Sequence, residues 1–191
     1  NLIENEGGQK FQTKVMKEMQ KQSQADFIRK LKFTRLYNLK PIGMTFEEWR
    51  SIITIGYVGM VGDLFHAGHL NVLQLAKVYC QLVVAGILTD EAVSDYKRTP
   101  VIPYEERSRI ISQTELVDIV IPQETLSYDN NLRLVMPNYL FHGKDWRTGV
   151  QAKVREEALQ TLKPFAGVLI EPDPFEGIST TEILNHIKSR Y

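Results

Sequence analysis

Cysteine is almost missing from this chain. Cys80 stands alone, which excludes an internal disulfide and any zinc site built from several cysteines. Neither sign of charge is in excess: 23 Lys and Arg balance 23 Asp and Glu. No global field therefore draws the chain to nucleic acid or to an anionic membrane. No apolar run approaches the roughly 20 residues that cross a bilayer, so no transmembrane segment is expected. The N-terminus, Asn1 to Glu6, has neither the basic and apolar pattern of a secretory signal nor an initiating methionine. We read the chain as a processed form or a piece of a longer multidomain polypeptide, and expect it in the cytoplasm. Internal repeats and low-complexity tracts are also missing.

What remains is an ordinary globular composition, 43% hydrophobic and 24% charged over 191 residues. That length suits one main domain with a sizeable core and a small appendage. Residues 1–50 are rich in Lys, Gln and Glu, with helical spacing at Phe11, Val15 and Met19 and again at Phe27, Ile28 and Leu31. They read as a helical N-terminal extension or linker. Pro41, Gly43 and the capping pattern Thr45-x-x-Glu48 predict a turn and a short helix before the first strand.

From residue 51 to 191, short apolar runs alternate with helical patterns. Strands are expected at 52–61, 82–88, 116–121, 139–142 and 168–170. Helices are expected at 70–80, 104–113, 132–135, 151–162 and 180–188. This alternation predicts an α/β fold, a parallel sheet with helices on both faces. In such sheets ligands sit beyond the carboxyl ends of the strands, where the strand order reverses.

The segment Gly59-Met60-Val61-Gly62-Asp63-Leu64-Phe65-His66-Ala67-Gly68-His69 lies at the carboxyl end of the first strand. Gly59 and Gly62 allow a sharp turn and a close approach of backbone to ligand. His66 and His69, three apart, share a face of the first helical turn. The helix N-terminus adds unpaired N–H groups and a positive dipole end. Two imidazoles above such amides suit the stabilisation of charge growing on phosphorus, and Gly68 keeps the space between the rings open. Two other readings use the same residues: satisfied structural histidines, or Asp63, His66 and His69 as a metal triad. The triad lacks a second cluster to complete it.

A second signal is Glu176-Gly177-Ile178-Ser179-Thr180-Thr181-Glu182. Ser179-x-x-Glu182 is a capping box for the last helix. Three hydroxyls after a glycine at a helix N-terminus also make a cradle for a polyphosphate.

These segments, with Lys97, Glu106-Arg107 and His142-Gly143-Lys144-Asp145-Trp146 between them, occur in the order seen in the cytidylyltransferase family, which residues 52–190 resemble. The resemblance implies a Rossmann-like fold, CTP and Mg²⁺ as co-reactants, pyrophosphate release and a homodimer. It implies catalytic roles for His66, His69 and Lys97, and phosphate contacts from Gly177, Ile178, Ser179, Thr180 and Thr181. It places the nucleotide against Gly59, Met60, Val61, Gly62, Asp63 and Gly68, and the nucleoside against His142, Gly143, Lys144, Asp145 and Trp146. Asp63, Lys97 and Arg107 are then expected at the substrate, Arg107 alternatively in an intrahelical ion pair.

The chain departs from the family twice. Lys144 stands where an acidic residue is common, and Pro174 and Phe175 replace an arginine and a threonine. We expect Lys144 or Arg147 to take over the lost positive charge. Tyr57, Phe65, Tyr96, Tyr104, Trp146 and Phe175 flank these elements, and aromatic faces attract ammonium groups, so an amine-bearing acceptor is one expectation. The acceptor is expected to be a small phospho- or phosphono-alcohol, of the phosphocholine, phosphoethanolamine, glycerol-3-phosphate or hydroxyalkylphosphonate type. The rivals are an ATP-dependent adenylyltransferase and a nucleotide-sensing domain without catalysis.

Overall fold

The computed structural model describes residues 40–94, 96–149, 151–173 and 177–190. The helical spacing at Phe11 to Leu31 and residues Pro174, Phe175 and Glu176 lie outside them. Five parallel strands form one sheet: β1 (Ile55–Met60), β2 (Leu82–Leu88), β3 (Ile119–Gln123), β4 (Tyr139–Phe141) and β5 (Val168–Ile170). Their order is β3-β2-β1-β4-β5, so the chain winds outward from β1 in one direction and then crosses to its other side. The reversal falls between β1 and β4, whose pairing runs from Gly56 opposite Tyr139 to Val58 opposite Phe141.

Helices cover both faces because strand side chains alternate. Ile55, Tyr57, Leu82, Val84, Ile119, Ile121 and Leu140 face one core. That core is closed by α1 (Phe46–Ile52), α5 (Asp129–Val135) and α6 (Gln151–Leu162). Val58, Val83, Ala85, Ile87, Val120 and Phe141 face the other, beneath α2 (Ala67–Tyr79) and α4 (Tyr104–Ser112). Two further helices, α3 (Asp90–Ser94) and α7 (Thr180–Arg190), complete the described elements with 3-10 turns at Lys144–Arg147 and Lys163–Phe165.

Several expected boundaries move. Ile52 closes α1 rather than opening β1, because the Thr45–Glu48 capping box starts a helix that runs to Ile52. The third strand starts at Ile119 and continues through Pro122 to Gln123. Asp118 instead turns its carboxylate onto the Val83 amide, 2.7 Å away, and onto Lys77. Helix α3 was not foreseen, its five residues being too short for a periodic signal.

Helix α1 is part of the domain. Trp49 is buried in the first core, and Arg50 donates to the carbonyls of Met136 (2.5 Å) and Phe165 (2.6 Å). Those carbonyls sit where α5 and the second 3-10 turn end, so the guanidinium satisfies groups that a helix terminus leaves unpaired.

Candidate nucleotide-binding site

A cavity of about 390 Å³ opens over the carboxyl ends of β1 and β4, at the reversal of strand order. Residues after β1, after β2, after β4 and at the start of α7 all reach it. Of the expected site residues, Gly59, Met60, Val61, Asp63, His66, Gly68, His69, Lys97, His142, Gly143, Lys144, Asp145, Ile178, Ser179, Thr180 and Thr181 line it.

His66 is the N-cap of α2, with extended backbone, rather than a residue of its first turn. The two histidines form a reciprocal capping box. The Gly68 amide donates to His66 Nδ1 (3.1 Å), and the His66 amide donates to His69 Nδ1 (3.3 Å). An imidazole nitrogen that accepts carries no proton, so each neutral ring holds its proton on Nε2. Burial lowers both pKa values, that of His69 to about 4, where the neighbouring His66 adds to the effect. The free protein therefore offers two uncharged Nε2–H donors at the helix N-terminus, with ring centroids 4.1 Å apart.

Glycine makes this possible. A Cβ on Gly68 would lie 2.8 Å from His66 Cε1, inside the ring's own space. Gly62 turns the chain with φ of +69°, a conformation that side chains disfavour. Gly59 differs from expectation: the room over its backbone is taken by the Tyr128 ring rather than left for a ligand.

Helix α7 joins the site from the far end of the chain. The Glu182 amide donates to Ser179 Oγ (3.2 Å), so Ser179 caps it. Thr180 Oγ1 donates to the Asp63 carbonyl (3.0 Å) and lies 3.5 Å from His66 Nε2. Lys97 is exposed, with Nζ 5.9 Å from the Tyr96 ring centroid, and makes no ion pair among the described residues.

Asp63 and Arg107 hold the scaffold. The Asp63 carboxylate is buried and accepts from the Val101 and Ile102 amides and from Arg98 (2.9 Å). Those donors outweigh its desolvation and keep its pKa below the usual carboxylate value. Arg107 corrects the expectation of a substrate contact. It is fully buried and does not itself line the cavity, donating to the carbonyls of Ile102 (2.8 Å), Val61 and Leu88 (2.9 Å) and to Asp90 (2.6 Å).

Other expected contacts also fall outside. Gly62, Gly177 and Trp146 do not line the cavity, and Tyr57 is buried in the core with its hydroxyl on Gln123 (2.8 Å). Tyr104 likewise stays outside the wall, while Phe65 stacks on His69 at 5.5 Å and Tyr96 lines the site. Lys144 lines the cavity and pairs with Asp173, whereas Arg147 is outside it and bonds to Glu171. Sequence reasoning missed Tyr128 and Glu171. Glu171 directly follows β5, a strand-end position where a polar residue is a usable signal.

A Rossmann-like sheet with a histidine-capped helix at its switch point defines a nucleotidyltransferase-type domain. The cytidylyltransferase-like family model matches residues 61–186, and the chain belongs to that family. Over 128 residues it is 32% identical to a probable ethanolamine-phosphate cytidylyltransferase of Schizosaccharomyces pombe, covering 66% of this chain and 34% of that protein. Over 147 residues it is 30% identical to the bifunctional protein HldE of Nitrobacter hamburgensis, covering 75% of this chain and 29% of that one. The chain thus spans about a third of the length of these curated relatives. In fold it is similar to a lipopolysaccharide core biosynthesis protein of Thermoplasma volcanium, with a TM-score of 0.55 at 17% identity over 66% of this chain and 99% of the other. No helix among the described residues is long and apolar enough to cross a membrane.

Proposed function

We propose that the protein transfers the cytidylyl group of CTP to an oxygen of a small phosphate- or phosphonate-bearing acceptor. The acceptor oxygen attacks the α-phosphorus in line, the bond from that phosphorus to the β-bridging oxygen breaks, and pyrophosphate leaves with the electron pair. No covalent enzyme intermediate is needed. The observation that carries this reading is the pair of Nε2–H donors of His66 and His69 at the N-terminus of α2, inside a cavity of nucleotide scale.

The two imidazoles stabilise charge on the α-phosphate as it becomes five-coordinate, without reorganising during the reaction. Lys97, free of ion pairs among the described residues, neutralises phosphate oxygens. Ser179, Thr180 and Thr181, at the start of α7, receive the β and γ groups. Lys144, rather than Arg147, supplies the charge that the family places before Gly177 by exchanging Asp173 for phosphate oxygens, since it lines the cavity.

Magnesium fits the nucleotide better than the protein. The described residues contain no group of three or more His, Cys, Asp or Glu side chains arranged to hold a metal. The Asp63 carboxylate is already committed to backbone amides. We therefore treat CTP as entering with its own Mg²⁺ on phosphate oxygens, and derive no step through the ion.

For the acceptor, the Tyr96 ring and the Asp145 carboxylate both line the cavity. Aromatic faces beside a carboxylate suit an ammonium group, in keeping with the ethanolamine-phosphate named for the yeast relative. Adenylyl transfer from ATP is the second reading, favoured by Lys144 in the wall expected to carry an acidic residue. The test is to incubate the protein with CTP or ATP and a panel of phosphocholine, phosphoethanolamine, glycerol-3-phosphate and aminoethylphosphonate, and to weigh the products. A CMP conjugate of one acceptor supports the proposal, an AMP conjugate replaces it with the second reading, and no conjugate with any pair refutes both.

A further inference from the structure

Glu171 takes no part in the transfer proposed above, yet it is the most heavily bonded carboxylate near the site. It is the first residue past β5, with a side chain only 7% exposed. Trp146 Nε1 donates to it at 2.8 Å, Arg147 through Nε (3.1 Å) and Nη2 (2.6 Å), and Arg155 through both Nε and Nη2 (2.9 Å each). Arg155, then Arg147 and the indole, hold its pKa far below the ordinary carboxylate value against its desolvation. The guanidinium groups and the indole thus favour the charged form of Glu171.

Through Trp146 the cluster backs a ring, His142, that does line the cavity. Trp146 is 1% exposed and lies flat against His142, with ring centroids 3.9 Å apart and planes 8° from parallel. Tyr128 packs edge-on against both rings, at 5.8 Å and 5.4 Å. His142 Nδ1 lies 2.8 Å from the Gly143 carbonyl, which can only accept, so Nδ1 carries the ring proton. Burial keeps the imidazole uncharged. Nε2 is then a bare acceptor without a partner among the described residues, on a ring that lines the cavity.

We propose that Glu171 is a positioning residue for base recognition: through Trp146 it fixes His142, whose Nε2 accepts a hydrogen bond from the amino group of an amino-bearing nucleobase. A base with a keto oxygen at that place would set acceptor against acceptor and be rejected. This inference rests on the nucleotide-binding reading of the cavity. Glu171 never touches the nucleotide; it acts by denying the stacked pair any other arrangement.

The test compares calorimetric affinities of CTP and UTP, which differ by amino against keto, for the full chain and its variants. The wild type should prefer CTP by about tenfold to a hundredfold, the scale of one partly shielded hydrogen bond. Glu171→Ala and Trp146→Phe should each reduce that preference to about threefold or less, mainly by weakening CTP. Glu171→Gln, which keeps an oxygen for the indole, should retain most of it. The Glu171→Ala, Trp146→Phe double variant should be no worse than either single change, since both cut one chain of contacts. If Glu171→Ala does not fold, Trp146→Phe and Glu171→Gln carry the comparison. Equal loss of CTP and UTP affinity would assign Glu171 a purely structural role and overturn the proposal. A wild type that binds both nucleotides equally would overturn it alone, whereas a wild type that binds neither refutes the cytidylyl reading proposed above and this inference with it.

Discussion

The Gly68 amide fixes the His66 ring and the His66 amide fixes the His69 ring, so both tautomers are set before any ligand arrives. That arrangement makes removal of one ring a specific lesion. His69→Ala should lower the turnover number by about a hundredfold to a thousandfold, the range for one preorganised donor, with a far smaller effect on CTP affinity. Steady-state kinetics beside calorimetry checks the split. Gly68→Ala should act on the same step with both histidines still present, because a Cβ there displaces the His66 ring.

The same residues give stability a pH dependence with a defined sign. His69 falls from 6.5 in the unfolded chain to about 4 in the native state, and His66 and His142 shift the same way. As pH falls from 6.5 towards 4 the unfolded chain takes up protons that the native state refuses, so stability declines across that window. The carboxylates with lowered pKa, Glu171 foremost, add their loss only at lower pH. Urea unfolding at pH 7 and pH 5 should show the decline, and His69→Asn should reduce it.

At the scale of elements, the loops beyond the strands are tied by buried charges. Asp63 holds the 98–102 loop to the turn after β1, and Arg107 holds α4 to the ends of β1 and β2. Arg107→Met leaves Asp90 and three carbonyls without their donor, and should cost about 3–5 kcal/mol of stability. Calorimetric CTP affinity of the folded fraction should fall less than stability does, since Arg107 backs Val61 and Leu88 without itself lining the cavity.

Here the sequence was legible in parts. The strand at 82–88 and the helix at 151–162 were correct to the residue, because continuous apolar runs and 3.6-residue spacing are local signals. Arg107 was misread because its partners are carbonyls 5 to 46 positions away, which no local pattern encodes. Tyr128 was missed for the same reason: only the sheet's reversal brings the ends of β3 and β4 to one cavity.

For the molecule as a whole, the switch point between β1 and β4 decides where everything else gathers. It sets the His-x-Gly-His turn beside the His142–Asp145 loop, and α7 closes the ring through Thr180 and the Asp63 carbonyl. Residues ahead of β1 contribute to that body. Trp49 fills the core under α5 and α6, so Trp49→Ala should destabilise the entire domain by about 3–5 kcal/mol in denaturant titration.

Pyrophosphate release from CTP in the presence of the acceptor panel, by wild type and by His69→Ala, tests the central claim most directly. The account predicts release that needs both CTP and one phosphate- or phosphonate-bearing acceptor, and that drops at least about a hundredfold in the variant while CTP still binds. Release that survives His69→Ala unchanged, or no release from a wild type that binds CTP and is offered every acceptor, would contradict it.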